Sequence, residues 1–332
     1  MKLAVALAGL ITALPLATEA EPLQLRFAYA GMPNSHMYTQ GIMPWVEKVM
    51  KEADETVDIK VFPGPTLGTL QVIYDRVQNA VVDLAFVTVG PVVTNFPRTT
   101  VASLPFEVPT GIDGSMALWR TYERGALADE FASVKPMAVM TFANISLHSR
   151  KPIKTLDDVR GMKFAAQSRM TAQVVDKLGG TPITMPVTDF YQALQRGTVD
   201  GADTGWPAVN AFKLIEVTSN HIEEPLGAEI AFHAMSKDAY AKLPDKARAA
   251  VDRNAGRVFS DMMGRAIDND NTTGRAEGVT RGHTLVKLPA DEVSRWKQRV
   301  QPLFDEWIAA TPNGANVLAV FREEMAKVRS GK

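Results

Sequence analysis

Cysteine is absent from the 332 residues. That excludes disulfides, thiolate nucleophiles and thiolate metal sites, so a sizeable apolar core must supply the stability instead. The five histidines, His36, His148, His221, His233 and His283, are scattered, and none shows a metal-ligand spacing such as H-E-x-x-H. The nucleophile-elbow pattern G-x-S-x-G and the glycine-rich phosphate loops are missing too. Asp268-Asn269-Asp270-Asn271 begins like a calcium loop but lacks glycine at the sixth position, so it reads as a polar helix face. No catalytic residue, metal or cofactor is therefore expected. Charge of one sign is also lacking: 36 basic and 37 acidic residues leave a net charge of −1, which gives no footprint for nucleic acid. Beyond residue 20 no apolar run is long enough to span a bilayer.

What the chain does have begins with Lys2, a mainly apolar stretch from Leu3 to Ala17, and small residues up to Ala20. A positive start, a short hydrophobic run and small residues before a cut make a secretory leader, with cleavage expected after Ala20. The protein is then expected in the periplasm. Glu21 to Lys332 is long enough for about two domains of ordinary size. Hydrophobic residues at 46% and charged residues at 22% suit a packed globular chain rather than a disordered one.

The order of elements reads as α/β. Leu23 to Tyr29 alternates as a strand and ends at Gly31-Met32-Pro33. A helix carries Trp45, Val46 and Val49; Val57 to Phe62 is a strand, Leu70 to Asn79 a helix, and Asp83 to Val87 a buried strand. The second half repeats this grammar, with strands over Met137–Phe142, Met162–Ala166 and Thr181–Met185. Ser168 caps a helix from Arg169 to Leu178, closed by Gly179-Gly180. Val199 to Thr204 leads as strand or loop to Trp206. Val251, Ala255, Val258, Met262 and Ala266 fall at helical spacing and predict one long helix from Pro244 toward Arg275. Two more helices, Val293–Trp307 and Ala315–Val328, close the chain.

One block is specific: Lys151-Pro152-Ile153 with Thr155, Asp158, Gly161 and Lys163; Leu178-Gly179 with Pro182; and Tyr191, Ala193-Leu194-Gln195, Gly197 and Val199-Asp200-Gly201. With Phe62-Pro63, Leu67-Gly68, Leu104-Pro105-Phe106, Ser236 and Leu243-Pro244, it resembles the substrate-binding protein of a tripartite ATP-independent periplasmic (TRAP) transporter. The resemblance covers nearly all of residues 21–332. It implies a two-lobed periplasmic-binding-protein-like fold with hinge strands and a long helix crossing both lobes. Residues 21–143 plus about 231–270 would form lobe I, and 144–230 plus about 271–332 lobe II. It also implies a monomer that captures a small organic solute without altering it and delivers it to the transporter's membrane subunits. A sensor partnering a signalling kinase, and an exported enzyme, are the rival readings.

The chain departs from the family pattern at three polar positions. Ala165 stands where most relatives carry an arginine, Asn144-Ile145 lacks a second arginine, and Ala202-Asp203-Thr204 replaces Gln-Glu-Asn. Asp203 beside the aromatic faces of Trp206 and Tyr29 suits an amine or zwitterion through charge pairing and cation–π contact. Arg169, four residues past Ala165 at a helix N-terminus, suits a carboxylate, with Trp206 stacking on an aromatic ring. Both readings remain open on the sequence. Asn144 and Gln167 could hydrogen-bond the solute, Thr88 ends a strand where open α/β sheets bind ligands, and one of Phe232 and His233 should face the cleft.

Overall fold

The computed structural model describes residues 21–332; the expected leader, residues 1–20, lies outside the described residues. Ten strands are β1 Leu23–Tyr29, β2 Val57–Pro63, β3 Leu84–Thr88, β4 Lys135–Ser149, β5 Lys163–Ala166, β6 Thr181–Thr184, β7 Gly201–Thr204, β8 Asn220–Ile222, β9 Gly227–Met235 and β10 Thr284–Val286. Their order is β2-β1-β3-β9-β4-β7-β5-β6, with β8 pairing β4 and β10. Parallel β2, β1 and β3 form the sheet of the first lobe, and parallel β7, β5 and β6 that of the second. Antiparallel β4 and β9 join them.

β4 is the hinge, and it is longer than its apolar pattern predicts. Fifteen residues run through both sheets, and the pairing with β9 slips between Phe142 and Ile145. Asn144 sits in that slip with φ +57°, a left-handed conformation that asparagine tolerates better than most residues.

The first sheet is covered on both faces. Trp45, Val49, Phe259 and Met263 pack on one, and Phe96, Phe131, Trp307 and Phe321 on the other. The predicted helix over Pro244–Arg275 is two helices, Asp245–Asn254 and Arg257–Thr280. Ala255 is extended and Gly256 has φ +68°, so the continuous apolar spacing hides a break in the backbone. The longer helix packs against helix Gly111–Glu123 of the first lobe and against helix Trp206–Ala211 of the second. Asp268 fixes it to the first by accepting hydrogen bonds from the free N–H groups of Gly111 (2.6 Å) and Ile112 (3.0 Å). The Asp-Asn-Asp-Asn run is thus a helix face with a capping role.

The assignment of residues 271–332 to lobe II fails at its end. Helices Pro302–Ala310 and Gly314–Arg329 place Phe304, Trp307, Leu318 and Phe321 in the core of the first lobe. Exposed Pro302 also splits the expected Val293–Trp307 helix, because a proline starts a helix but cannot continue one.

Candidate functional site: the inter-lobe cleft

Alternation along β9 and its partners brings several side chains to one face of the hinge. Phe142 lies opposite Glu229, Ala231 opposite Thr88, and His233 opposite Phe86. Cross-strand partners share a face, and so do residues two apart. Phe86, Thr88, Phe142 and Glu229 therefore look the same way. Tyr29 meets Phe86 edge-on at 5.5 Å and stacks on half-buried Tyr38 at 5.7 Å, while Phe86 and Phe142 sit 6.4 Å apart. The result is an aromatic cluster at the C-terminal ends of β1 and β3, in which Tyr38 and Phe142 are half-buried and form the wall, with buried Tyr29 and Phe86 behind them.

Two carboxyls meet that wall from the hinge and the second lobe. Glu229 lies deep in the protein yet keeps part of its surface accessible, as a group lining an internal cleft does. Burial raises its carboxyl above the usual range, and hydrogen bonds from Ser168 and Gln167 offset only part of that rise. Asp203, the register partner of Ala166 on β5, is fully buried, and neither oxygen has a hydrogen-bond partner among the described residues. Burial, with the Glu229 charge added, raises it well above the usual carboxylate range. A buried charge without a counter-ion is expensive, so this end of the cleft holds a proton or awaits a donor.

The other expected positions divide. Gln167 and Ser168 link β5 to helix Arg169–Lys177, where Ser168 forms the predicted cap with Thr171. Arg169 opens that helix, exposed, and makes no ion pair or side-chain hydrogen bond with any described residue. Many other arginines of the chain, from Arg26 to Arg322, are paired. Thr88 is half-buried, and its hydroxyl has no partner among the described residues. Asn144 stands at the hinge slip, half-buried.

Tyr29 is wholly buried; its hydroxyl bonds Ser35 Oγ at 2.8 Å, and burial pushes it up to about 12, so it contributes as packing behind the wall rather than as a charge. Trp206 is 4% exposed, with its ring against His148 (5.0 Å) and His221 (4.6 Å) and beside Gly274 and Gly278 of the long helix. That ring is occupied by packing.

The expectation that Phe232 or His233 faces the cleft is corrected. Phe232 packs among Phe96, Phe131 and Tyr74, and His233 among Phe27, Phe86 and Phe259. Both are interior because helices cover both faces of the first sheet, so neither side of β9 there is open. Four residues before His233 and on the same face, Glu229 keeps part of its surface accessible, and the sequence analysis did not single it out. An acidic side chain inside an otherwise apolar strand was the available signal, since such groups are seldom buried without purpose.

Residues 27–311 match the family model described as bacterial extracellular solute-binding protein, family 7. The chain belongs to this family. It is 26% identical to the outer membrane transporter protein TsaT of Comamonas testosteroni, over 97% of each chain. Among solved structures, a TRAP solute-binding protein from a marine metagenome, specific for aromatic acid ligands and bound to 3-hydroxybenzoate, superposes with a TM-score of 0.87. The two are 25% identical, with 93% of this chain and 99% of that one covered. A TRAP solute-binding protein from Rhodoferax ferrireducens, carrying copurified benzoate, gives 0.86 at 27% identity, with 93% and 99% covered. A family 7 solute-binding protein carries a small organic solute for a TRAP transporter, and the two-lobed architecture is the one such closure requires.

Proposed function

We propose that the protein is exported, loses residues 1–20 after Ala20, and works in the periplasm as a monomer. It carries an aromatic monocarboxylate, unchanged, to the membrane subunits of a TRAP transporter. The observation that carries this reading is Arg169: a guanidinium without an ion-pair partner among the described residues, at a helix N-terminus next to Gln167 and Ser168, on the second-lobe side of a cleft whose first-lobe wall would be half-buried Tyr38 and Phe142, backed by Tyr29 and Phe86. A guanidinium grips a carboxylate with two parallel hydrogen bonds, and the helix N-terminus adds favourable dipoles. The ring would then lie on the aromatic side chains. The benzoate and 3-hydroxybenzoate held by the two solved relatives have this chemistry. Contacts to both lobes would draw the cleft shut by population shift.

The acid pair Asp203 and Glu229 favours a second reading, an amine or zwitterion. Calorimetry on the leader-free protein separates the two. Benzoate and mandelate should bind, succinate and glycine betaine should not, and Arg169→Ala should weaken benzoate at least tenfold. Betaine binding that survives Arg169→Ala and is lost in Glu229→Gln would reverse the assignment.

A further inference from the structure

We propose that Glu229 selects the ligand: its carboxylate accepts a hydrogen bond from a hydroxyl or amino substituent on the ring of an aromatic acid. The inference rests on the reading of the cleft as an aromatic-carboxylate site and adds a second requirement to it. Among the described residues no lysine or arginine pairs with either Glu229 or Asp203, and each lies deep in the protein. An acid presented with its carboxylate toward this end would meet like charge in a dry environment. A ring presented with its carboxylate toward Arg169 would instead bring its far edge to Glu229. That edge is where an N–H or O–H donor finds an acceptor.

Three independent features sharpen the point. Glu229 is accessible within the cleft, unlike Asp203 behind it. Thr88, on the same face, has a buried hydroxyl without a partner among the described residues. Asp203 has two buried oxygens without a partner among the described residues, so this end of the site has polar groups left to satisfy. Buried polar groups are nearly always paired, and a concentration of unpaired acceptors marks where a ligand's donors go. A site built to hydrogen-bond a substituent also rejects analogues that lack it, because the lone pairs of Glu229 not taken by Ser168 and Gln167 are then left unpaired.

The test is calorimetry on the leader-free chain with benzoate, 3-methoxybenzoate, 3-hydroxybenzoate and 3-aminobenzoate. The hydroxy or amino acid should bind at least tenfold tighter than benzoate and its methoxy counterpart. In Glu229→Leu that preference should shrink to within about twofold, whereas Glu229→Gln, which keeps an acceptor oxygen, should retain part of it. Equal affinity for all four in the wild type, or an undiminished preference in Glu229→Leu, overturns the selection role and leaves the aromatic-acid reading standing. Failure of all four to bind removes that reading, and the role with it. Should Glu229→Leu lack a cooperative melt, the wild-type series and Glu229→Gln decide.

Discussion

The Nδ1 atoms of His148 and His221 lie 2.8 Å apart inside the second lobe. His148 Nε2 is 3.1 Å from the Thr204 carbonyl oxygen, which can only accept, so that nitrogen carries the hydrogen. Its Nδ1 then accepts from His221 Nδ1–H, and His221 Nε2, 3.1 Å from His283 Nδ1, accepts in turn. Three neutral rings in defined tautomers run from the strand of Asp203 to the half-buried His283. Burial lowers His148 to about 4, and burial beside the His148 and His283 rings, which disfavours a further positive charge, lowers His221 to about 2.

Acid should therefore loosen the fold well before its carboxylates are neutralised. His148, His221 and His233, the last lowered by burial to about 3, stay neutral when folded but take up protons near 6.5 when unfolded. The stability they contribute is complete above that value and is lost as the pH falls below it. The urea midpoint should drop steadily from pH 7 to pH 4. His233→Phe keeps a ring against Phe27 and Phe259 and removes two unpartnered nitrogens, so it should lessen that drop and stabilise by about 1 kcal/mol at pH 7. A pH profile identical to that of the wild type would refute it.

Asp203 has the opposite sign. Its raised carboxyl is neutral in the fold at pH values where the unfolded chain is ionised, so the stability it supplies at low pH is lost as the pH rises. Asp203→Asn keeps the shape and cannot ionise. It should stabilise the ligand-free protein by roughly 1–3 kcal/mol at pH 7, with the gain fading toward pH 4. Urea denaturation at the two values measures both; a loss of stability at pH 7 would mean that Asp203 has a partner.

The long helix docks on the first lobe through Gly264. A Cβ there would lie 2.7 Å from Ile112 Cα and 2.9 Å from the Gly111 carbonyl oxygen, backbone that Asp268 pins in place. Gly264→Ala should cost about 1–3 kcal/mol by overpacking, despite the roughly 1 kcal/mol that alanine gains over glycine in a helix. Gly278→Ala is the contrast. Its nearest contact would be Trp206 Cη2 at 3.4 Å, so the propensity gain should show as a higher thermal midpoint.

Much of the fold was legible because it rests on local chemistry. Thr155 and Asp158 form the capping box that their spacing announces, Ser168 caps its helix, and Gly179 closes it at φ +93°. The helix Gly111–Glu123 went unseen because the first half of its buried face is Gly111, Gly114 and Ser115, so the apolar signal is confined to Ala117, Leu118 and Trp119. The site was less legible. Arg169 and Asp203 could be named from departures in a pattern, but Phe232 and Glu229 differ only in which way β9 turns them.

The sequence by itself determined most of the elements, several of their caps and the family, since spacing, turn residues and motif order act over a few residues. Tertiary structure alone decided what the cleft is made of. The hinge slip at Asn144, the return of the last two helices to the first lobe, and the meeting of Glu229 with Asp203 join residues far apart in the chain. Their relation depends on strand register and layer covering, and a shift of one residue in register turns every side chain of a strand to the other face.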